Sequence, residues 1–414
     1  MRSLAEWLER QEKAHPSAID LTLDRVREVA RRLGLLQPTY RVVTVGGTNG
    51  KGSTVAWLDA LLRAGSLRCG RFTSPHLARY NERICVDGVE ASDTSLIASF
   101  ERIDAARGDI TLTFFEYNAL AALDQFRLAD VDVAVLEVGL GGRLDATNII
   151  DADVAVVCSI GLDHVDWLGN TLEDIGREKA GIFRPGRPAV LGSADLPKSL
   201  WNAIEEISAR AVVPGRDYQT RIHASSWDFE YGEFRLLDLP MPALAGMHQL
   251  GNAATALTAL KSLDIQLTQA KSSQVLRDVR LPGRFQRIPG EVDWILDVAH
   301  NVPAALGLAA NLRALPRVRT TGVCGILGDK DIQGIAAALG ADIDAWILVG
   351  LNGPRAVSTQ ELERRLPRGA RILAHAADVA SGCRIARAAA APGERILVFG
   401  SFLTVGPALE FLGL

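Results

Sequence analysis

The feature that most constrains this chain is the stretch 41–54, which reads R-V-V-T-V-G-G-T-N-G-K-G-S-T. A β-branched apolar run leads into a loop with four glycines, and apolar residues at helical spacing follow. A strand, a glycine-rich loop and a helix in this order bring backbone N–H groups and a helix N-terminus together, and such an arrangement binds phosphate. We therefore predict that Lys51 contacts phosphate as a point charge and that Ser53 reaches a magnesium ion.

The spacing of this loop departs from the standard phosphate-loop pattern G-x-x-x-x-G-K-[ST]. Only three residues separate Gly46 from Gly50, and Gly52 lies between Lys51 and Ser53. The alternative interpretation is an ordinary glycine-rich turn beside an exposed lysine. The loop alone does not decide between the two, so the rest of the chain has to.

Length and composition exclude several classes of protein. A chain of 414 residues exceeds the usual limit of one hydrophobic core, which predicts two domains. Its 48% hydrophobic and 23% charged residues exclude a disordered protein. A net charge of −4 leaves no basic footprint for nucleic acid or for an anionic membrane, so neither is expected as a partner.

The cysteines and the absence of long apolar segments predict a soluble, cytoplasmic protein. There are five cysteines and no C-x-x-C pair, and three of them lie in apolar strand-like runs, so buried free thiols are expected instead of disulfides or zinc ligands. Glu6 and Glu9 within the first amphipathic stretch argue against a signal peptide. No uninterrupted apolar segment is long enough to span a bilayer.

Apolar runs that alternate with helical patterns predict an α/β protein with parallel sheets buried on both faces. Helices are predicted at 3–12, 21–33 (with Asp20 as N-cap), 92–107, 113–129 and 252–261, and strands at 42–45, 67–73, 131–138, 153–160, 293–298, 320–326, 345–350, 371–374 and 395–400. Alternating aromatic residues between about 212 and 240 predict an antiparallel hairpin attached to the first domain.

The predicted organisation is an N-terminal P-loop ATPase-like domain over 1–281 and a C-terminal Rossmann-like domain over 282–414. The first has a parallel sheet plus the small antiparallel part. The boundary is placed near L-P-G-R-F at 281–285. Because parallel sheets bind ligands beyond the carboxyl ends of their strands, we expect the two domains to face each other across a cleft, with the glycine loop on one wall.

Six side chains beyond the loop are candidates for chemistry. Glu137 ends an apolar strand, where it could hold magnesium or merely cap a turn, and the glycines after it indicate backbone close to a ligand. His164 follows the next predicted strand, which we expect to be adjacent to that of Glu137, so the two strand ends could hold one cation. A lone histidine there could instead be a structural residue, and magnesium prefers oxygen ligands. Lys179 lies in a helix-like stretch and, taken by itself, is a solvated helix lysine. Arg284, Asp297 and His300 could each be surface or capping residues.

These pieces occur together and in a fixed order. The motifs are T-N-G-K-G-S at 48–53, S-P-H-L at 74–77, E-V-G-L-G-G-R-L-D-A-T-N at 137–148, L-D-H at 162–164, E-K-A-G-I-F at 178–183, L-P-G-R-F-Q at 281–286 and D-V-A-H-N at 297–301. In this combination the chain closely resembles the folylpolyglutamate synthase and dihydrofolate synthase family, relatives of the Mur peptide ligases. The resemblance spans nearly the whole chain.

The resemblance implies an ATP-dependent ligase with Mg²⁺ that adds L-glutamate to dihydropteroate and to tetrahydrofolate through an acyl phosphate. It implies catalytic roles for Lys51, His164 and Lys179, and metal ligation by Ser74, Glu137, His164 and, if carbamylated, Lys179. The implied ATP contacts are Asn49, Gly50, Lys51, Gly52, Ser53, Asn252, Arg284, Asp297 and His300. The implied pterin-binding residues are Ile19, Asp20 and Leu21, then Thr113, Phe114, Phe115 and Glu116, then Leu144, Asp145 and Ala146.

Several alternatives stay open at this point. Within the family, the protein could be a folylpolyglutamate synthase that only extends glutamate tails, although the dihydropteroate-like segments favour both activities. A GTPase-type switch lacks support because no N-K-x-D motif occurs in the chain. A small-molecule kinase with the same loop leaves the second α/β domain without a purpose. A monomer is expected.

Overall fold

The structure, a computed structural model, describes residues 2–414. Its contacts define two compact units. Within the described residues, the first unit takes 2–76, 80–243 and 249–279, and the second takes 77–79, 244–248 and 280–414. Each unit contains a mainly parallel sheet, so the α/β class with two such sheets is confirmed. The exact boundary at residue 281 stays a prediction.

The first unit is built on an eight-stranded sheet in the order β4-β3-β2-β5-β1-β6-β7-β8. Its strands are β1 Arg41–Gly46, β2 Cys69–Phe72, β3 Ile84–Val86, β4 Val89–Glu90, β5 Val133–Glu137, β6 Val154–Val157, β7 Pro188–Leu191 and β8 Arg210–Val212. Within the sheet, all neighbouring strands in the series β2-β5-β1-β6-β7-β8 are parallel. Strands β3 and β4 are antiparallel additions at the β2 edge. The strand that precedes the glycine loop is therefore central, between β5 and β6.

Helices cover both faces of this sheet. They are α1 Leu4–Glu12, α2 Asp24–Arg32, α3 Lys51–Ala64, α4 Asp93–Arg107, α5 Phe114–Ala129, α6 Val165–Leu168, α7 Leu172–Ala180, α8 Lys198–Ile207, α9 Met247–Ser262 and α10 Gln269–Asp278, with 3-10 turns at Tyr80–Arg83 and Ala146–Ile149. The first of these begins with a capping box from Ser3 and Glu6. Core side chains such as Trp7, Phe100 and Phe126 are buried between α1, α4 and α5 and the sheet.

A separate three-stranded antiparallel sheet completes the first unit. It consists of β9 Tyr218–Ile222, β10 Ser226–Tyr231 and β11 Phe234–Pro240, in the order β11-β10-β9. The sequence analysis predicted a hairpin of two strands and missed β9. The polar residues of β9 gave no strand signal, although β9 pairs with β10. The start of the predicted region is also wrong, since residue 212 ends β8 in the main sheet.

The second unit has a six-stranded sheet in the order β12-β13-β17-β14-β15-β16. Its strands are β12 Gln286–Ile288, β13 Asp293–Asp297, β14 Thr320–Cys324, β15 Ala345–Val349, β16 Ile372–Ala376 and β17 Arg395–Phe399, and its helices are α11 Val302–Arg313, α12 Ile332–Leu339, α13 Thr359–Arg364, α14 Val379–Ala389 and α15 Phe402–Leu412. Only β12 is antiparallel. The five predicted strands of this region all form, within a few residues of the predicted bounds.

Two predicted helix starts are wrong. Helix α2 begins at Asp24, after Leu23, and the Asp20 side chain does not cap it; that carboxylate accepts a hydrogen bond from Arg25 instead. Helix α9 begins at Met247, five residues before the predicted start, because Gly251 interrupts the apolar pattern without ending the helix.

Two predictions from the sequence, on the cysteines and on membrane-spanning segments, can be checked directly. All five cysteines are buried and unbonded to one another, as predicted. Among the helices formed by residues 2–414, none combines the length and apolar character that crossing a bilayer requires.

Candidate active site

The glycine loop that connects β1 to α3 has a conformation that side chains would disturb. Gly47 has φ +140°, and a Cβ there would lie 3.1 Å from Cys158. Gly50 has φ +89° as the N-cap of α3, and a Cβ there would lie 2.7 Å from Oδ1 of Asn252. The loop is therefore glycine-rich for two reasons, its left-handed backbone and its close neighbours.

Hydrogen bonds fix the loop to the segment that follows β6. The hydroxyl of Thr48 donates to the carbonyl of Gly161 and accepts from the N–H of the same residue, both at 3.0 Å. The N–H of Asn49 donates to Oγ of Ser159 at 3.0 Å, and that hydroxyl donates back to the Asn49 carbonyl. The loop is thus held in place before any ligand arrives, which lowers the cost of binding.

Two lysines converge on one carbonyl of this loop. Nζ of Lys51 donates to the oxygen of Gly47 at 3.0 Å and to that of Thr48 at 3.3 Å. Nζ of Lys179, from α7, donates to the same Gly47 oxygen at 3.0 Å. The side chain of Lys179 is buried, with 5% of the residue exposed, so its interpretation as a solvated helix lysine is wrong.

Burial and a neighbouring cation change the acidity of Lys179. Loss of solvation is the main cause and the positive charge of Lys51 the second, and together they lower the pKa of Lys179 to about 7, although Asp163 acts in the opposite direction. An amine with this pKa is largely unprotonated just above neutral pH. It can therefore act as a nucleophile toward an electrophile such as carbon dioxide.

Glu137 and Ser74 lie together beside the loop. Glu137 is the last residue of β5, pairs in register with Val45 of β1 and has 5% of its surface exposed. The N–H of Ser74 donates to Oε2 of Glu137 at 3.2 Å. The structure thus brings together two of the four predicted metal ligands.

His164 lies in a position that differs from the prediction. Strand β6 ends at Val157, and His164 with φ +51° is the N-cap of the short helix α6. The strands of Glu137 and His164 are not adjacent, because β1 lies between them. The residues after Val157 leave the sheet to bond to the glycine loop, as in the 2.8 Å hydrogen bond from Thr48 N–H to the Ser159 carbonyl.

The predicted ligand set contains one carboxylate side chain, that of Glu137. Within residues 2–414 no three histidine, cysteine, aspartate or glutamate side chains group as a site for a metal ion. Mg²⁺ is commonly held by one or two carboxylates together with substrate phosphates and waters. Glu137, which is buried and oriented by Ser74, fits that mode of binding.

A chain of side chains links α9 to the start of α3. Nδ2 of Asn252 donates to Oε1 of Gln249 at 3.1 Å, and Nε2 of Gln249 donates to Oγ of Ser53 at 3.2 Å. Asn252 is therefore placed against Gly50 and Ser53, among the predicted ATP contacts, while Gly52 lies in the first turn of α3. Gln249 was missed, and a glutamine at a helix start gives no sequence signal for this role.

The first two predicted pterin segments are joined by an arginine that the sequence analysis missed. The guanidinium of Arg25 donates to Asp20 at 2.8 Å and to Glu116 at 3.2 Å. Thr113 and Glu116 form a capping box at the start of α5, and Ile19, Leu21 and Phe114 are half-buried nearby in the sequence. Because Arg25 lies outside both segments and is 91 residues from Glu116 in sequence, only the folded chain reveals this link.

The third segment is fixed by Asp145. Its carboxylate accepts hydrogen bonds from the N–H groups of Gly139 and Leu140 at 2.9 Å, and from the N–H and hydroxyl of Thr147 at 3.0 and 2.7 Å. Both oxygens thus accept two hydrogen bonds, which fills the capacity of a carboxylate. The side chain of Asp145 therefore holds this loop, and Leu144 and Ala146 flank it.

The glycines after Glu137 have a packing explanation. A Cβ on Gly139 would lie 2.5 Å from the Phe115 ring, and one on Gly142 would lie 2.9 Å from the carbonyl of Glu178. These glycines therefore allow close packing against α5 and α7, and the prediction that they bring backbone close to a ligand stays a prediction. This packing fixes the position of Lys179, the residue after Glu178.

In the second unit, Arg284 and His300 lie beside Phe402, and Asp297 interacts electrostatically with both. The Arg284 guanidinium lies 5.1 Å from the centre of the Phe402 ring, and the His300 ring lies 6.2 Å from it. Asp297 accepts from the N–H groups of Phe285 and Ala299, both at 2.8 Å, and burial raises the pKa of its carboxyl. Phe402, which the sequence analysis missed, supplies the aromatic face for Arg284.

Comparison with known proteins agrees with these features. The Mur ligase middle domain matches residues 45–260, and the Mur ligase glutamate ligase domain matches residues 283–402. The dihydrofolate synthase/folylpolyglutamate synthase of Escherichia coli (strain K12) is 43% identical over 410 residues, which cover 99% of this chain and 95% of that protein.

Two solved structures are similar over the full length. FolC of E. coli in complex with DHPP and ADP is 43% identical, with a TM-score of 0.94 over 100% of this chain and 98% of that one. The bifunctional enzyme of Yersinia pestis complexed with AMPPNP and Mn ion is 43% identical, with a TM-score of 0.93 over 100% and 99%. Together with the two matched domains, these similarities show that the chain belongs to the dihydrofolate synthase/folylpolyglutamate synthase family of the Mur ligases.

Proposed function

We propose that this protein is an ATP-dependent ligase that couples L-glutamate to dihydropteroate, forming dihydrofolate, and to tetrahydrofolate, forming polyglutamates. The observation that carries the proposal is the convergence of Lys51 and Lys179 on the Gly47 carbonyl, next to the loop that begins α3. The Lys51 ammonium and a helix N-terminus at one point suit a triphosphate, and the family relationship supplies the acid and the amine.

A carboxylate is a poor acyl donor because it bears a full negative charge and has no good leaving group. Transfer of the γ-phosphoryl group to a carboxylate oxygen gives an acyl phosphate, with ADP as the product. The amine of glutamate then attacks the acyl carbon, the amide forms and inorganic phosphate leaves. Both steps depend mainly on positioning and on neutralisation of charge, and Lys51 at the loop supports this role.

Lys179 is proposed to be carbamylated. A neutral amine attacks carbon dioxide, loses a proton and becomes an anionic carbamate, which turns a cation into an oxygen ligand. The pKa of about 7 supports this reaction, because a lysine with its ordinary pKa of 10.5 is almost entirely protonated at neutral pH. The positive charge of Lys51 beside it would in turn stabilise the negative charge.

Mg²⁺ would be held by Ser74, Glu137 and His164, with carbamylated Lys179 available for a second ion. When bound, Mg²⁺ neutralises charge on the phosphate oxygens. The protein's own contribution is to orient the Glu137 carboxylate through the 3.2 Å hydrogen bond from Ser74.

The acid and the rest of the nucleotide are assigned to the remaining predicted residues. The pterin is proposed to contact residues 19–21, 113–116 and 144–146, where Arg25 and Asp145 hold the segments in place. Arg284, Asp297 and His300 of the second unit are proposed to contact ATP. On this proposal residues of both units contribute to one reaction.

The proposal is tested by the dependence of phosphate release on the two co-substrates. Purified protein with Mg²⁺ and ATP is expected to release phosphate at a high rate only when dihydropteroate and L-glutamate are both present. Equal turnover with the pterin acid alone, with a stable phosphorylated product, would contradict ligation and favour a kinase. D-glutamate provides a control with the same charge.

Separate assays decide between one and two activities. The bifunctional proposal expects glutamate addition to dihydropteroate and to tetrahydrofolate in parallel reactions. Addition to tetrahydrofolate alone would instead establish a folylpolyglutamate synthase that only extends tails. We also propose that the protein acts as a monomer in the cytoplasm, which light scattering and cell fractionation would test.

A further inference from the structure

Arg83 is a buried cation that none of the assigned roles uses. It is the last residue of the 3-10 turn Tyr80–Arg83, directly before β3, and only 8% of its surface is exposed. Its Nε donates to Nδ1 of His76 at 2.8 Å. The guanidinium carbon lies 5.5 Å from the centre of the Phe114 ring and 5.8 Å from that of Tyr80. Two aromatic faces and a histidine therefore hold the guanidinium in one place.

The charge of Arg83 is not neutralised by a close carboxylate. Among the ion pairs within residues 2–414, with N–O distances up to 4.0 Å, none includes Arg83. Glu137 and Glu82 act on it only through longer-range charge, and burial lowers its pKa. A buried arginine is normally paired, because loss of hydration is costly. The ring contacts recover part of this cost and leave the cation able to receive an anion.

The neighbours of Arg83 indicate which anion it receives. Arg83 interacts electrostatically with Glu137, a proposed metal ligand. Its guanidinium also contacts the ring of Phe114, which belongs to a segment proposed to bind the pterin acid. The group that must lie between the pterin and the metal-bound phosphate is the carboxylate that becomes phosphorylated. We propose that Arg83 binds this carboxylate of the acid substrate and orients it for attack on ATP; this assignment rests on the proposed function.

The chemistry of arginine suits this task. Its planar fork of N–H donors matches the two oxygens of a carboxylate, which fixes the plane of the group as well as its position. Each carboxylate oxygen has two lone pairs, so an oxygen that accepts from Arg83 keeps a lone pair for attack on phosphorus. Lysine keeps the charge but lacks the fork, so Arg83→Lys should bind the acid more weakly than the native chain.

The test compares an acid with its amide. Binding of dihydropteroate and of its carboxamide is measured by calorimetry in the presence of ADP and Mg²⁺. The native protein is expected to prefer the acid by roughly ten- to hundred-fold, the range of a hydrogen bond to a charged group. Arg83→Met is expected to reduce this preference to less than about two-fold while the affinity for ADP stays unchanged, because a purely structural loss weakens both ligands alike.

Two further variants make the comparison decisive. Arg102→Met removes the ion pair between Arg102 on α4 and Asp124 on α5, whose N–O distance is 2.5 Å, and this variant should keep the native preference. Arg83→Lys should show an intermediate preference and serves as the measure if Arg83→Met does not fold. An undiminished preference for the acid in Arg83→Met or Arg83→Lys would overturn the assignment of Arg83 and leave the proposed function standing. A native protein that binds neither pterin would overturn the proposed function as well.

Discussion

Replacement of Gly50 by alanine tests how the glycine loop is built. The backbone φ of +89° disfavours any residue with a Cβ, and that Cβ would lie 2.7 Å from Oδ1 of Asn252. Because Oδ1 is at the end of a side chain, Asn252 can move away. It would then lose its 3.1 Å hydrogen bond to Gln249. The two costs, strained backbone and displaced neighbour, can be separated by experiment.

The expected magnitudes follow from these contacts. A left-handed conformation costs a residue other than glycine about 1–2 kcal/mol, and loss of a hydrogen bond costs about 0.5–1.5 kcal/mol. Gly50→Ala should therefore lower the free energy of unfolding by about 1.5–3.5 kcal/mol. The matched control is Gly186→Ala, where φ is +67° and no atom lies within 4 Å of the added Cβ. That variant should lose only about 1–2 kcal/mol.

Unfolding by denaturant and the steady-state kinetics of ATP measure the two consequences. In an Asn252→Ala background the contact disappears, so the effect of Gly50→Ala on unfolding should fall to that of Gly186→Ala. In the native background kcat/KM for ATP should fall by roughly a hundred-fold, as expected for a displacement of about 1 Å in a site. Gly186→Ala should leave kcat/KM within about two-fold of native. Equal stability and equal activity in Gly50→Ala would refute this account of the loop.

Three other substitutions test the lysines and the loop after Glu137. Lys51→Ala should lower the rate of ligation by about a thousand-fold and leave thermal unfolding unchanged. The control Lys198→Ala, at an exposed residue, should leave both the rate and thermal unfolding unchanged. Native activity in Lys51→Ala would remove the loop from the mechanism. Mass spectrometry in bicarbonate should show one added CO₂ on Lys179. Because the ammonium form cannot react, this carbamate and the activity should decline as the pH falls through about 7. Lys179→Ala should be rescued by short carboxylic acids, and full activity without them would contradict carbamylation. Asp145→Asn should lower the free energy of unfolding, measured with denaturant, by about 1–3 kcal/mol. The reason is that the amide of the new asparagine faces four hydrogen-bond donors. An unchanged free energy of unfolding would show that the loop does not need the carboxylate.

The glycine loop was predictable because its signals are local. The run of valines in β1 is buried on both faces, and the positive φ of Gly50 requires glycine whatever lies around it. The α/β class followed from apolar runs of this kind, and the family from motifs spread over the chain. Such features need no knowledge of which distant residues meet.

The contacts that side chains make with distant partners were not predictable from the residues themselves. Lys179 occupies an ordinary helical position, and only the fold shows that its amine reaches the Gly47 carbonyl, 132 residues away in sequence. Asp145 resembles a ligand residue, yet its four hydrogen bonds hold a loop. Arg83 lies in a mixed polar segment, and its burial beside Phe114 follows from packing that no periodic pattern encodes.

Isotope transfer tests the central claim, activation of the acid by ATP, most directly. Dihydropteroate labelled with ¹⁸O in its carboxylate is incubated with the protein, ATP, Mg²⁺ and L-glutamate, and the released phosphate is examined by mass spectrometry. The account predicts that each amide formed yields one phosphate that carries one carboxylate oxygen. Unlabelled phosphate, released at the same rate as the amide, would contradict an acyl phosphate and the mechanism built on it.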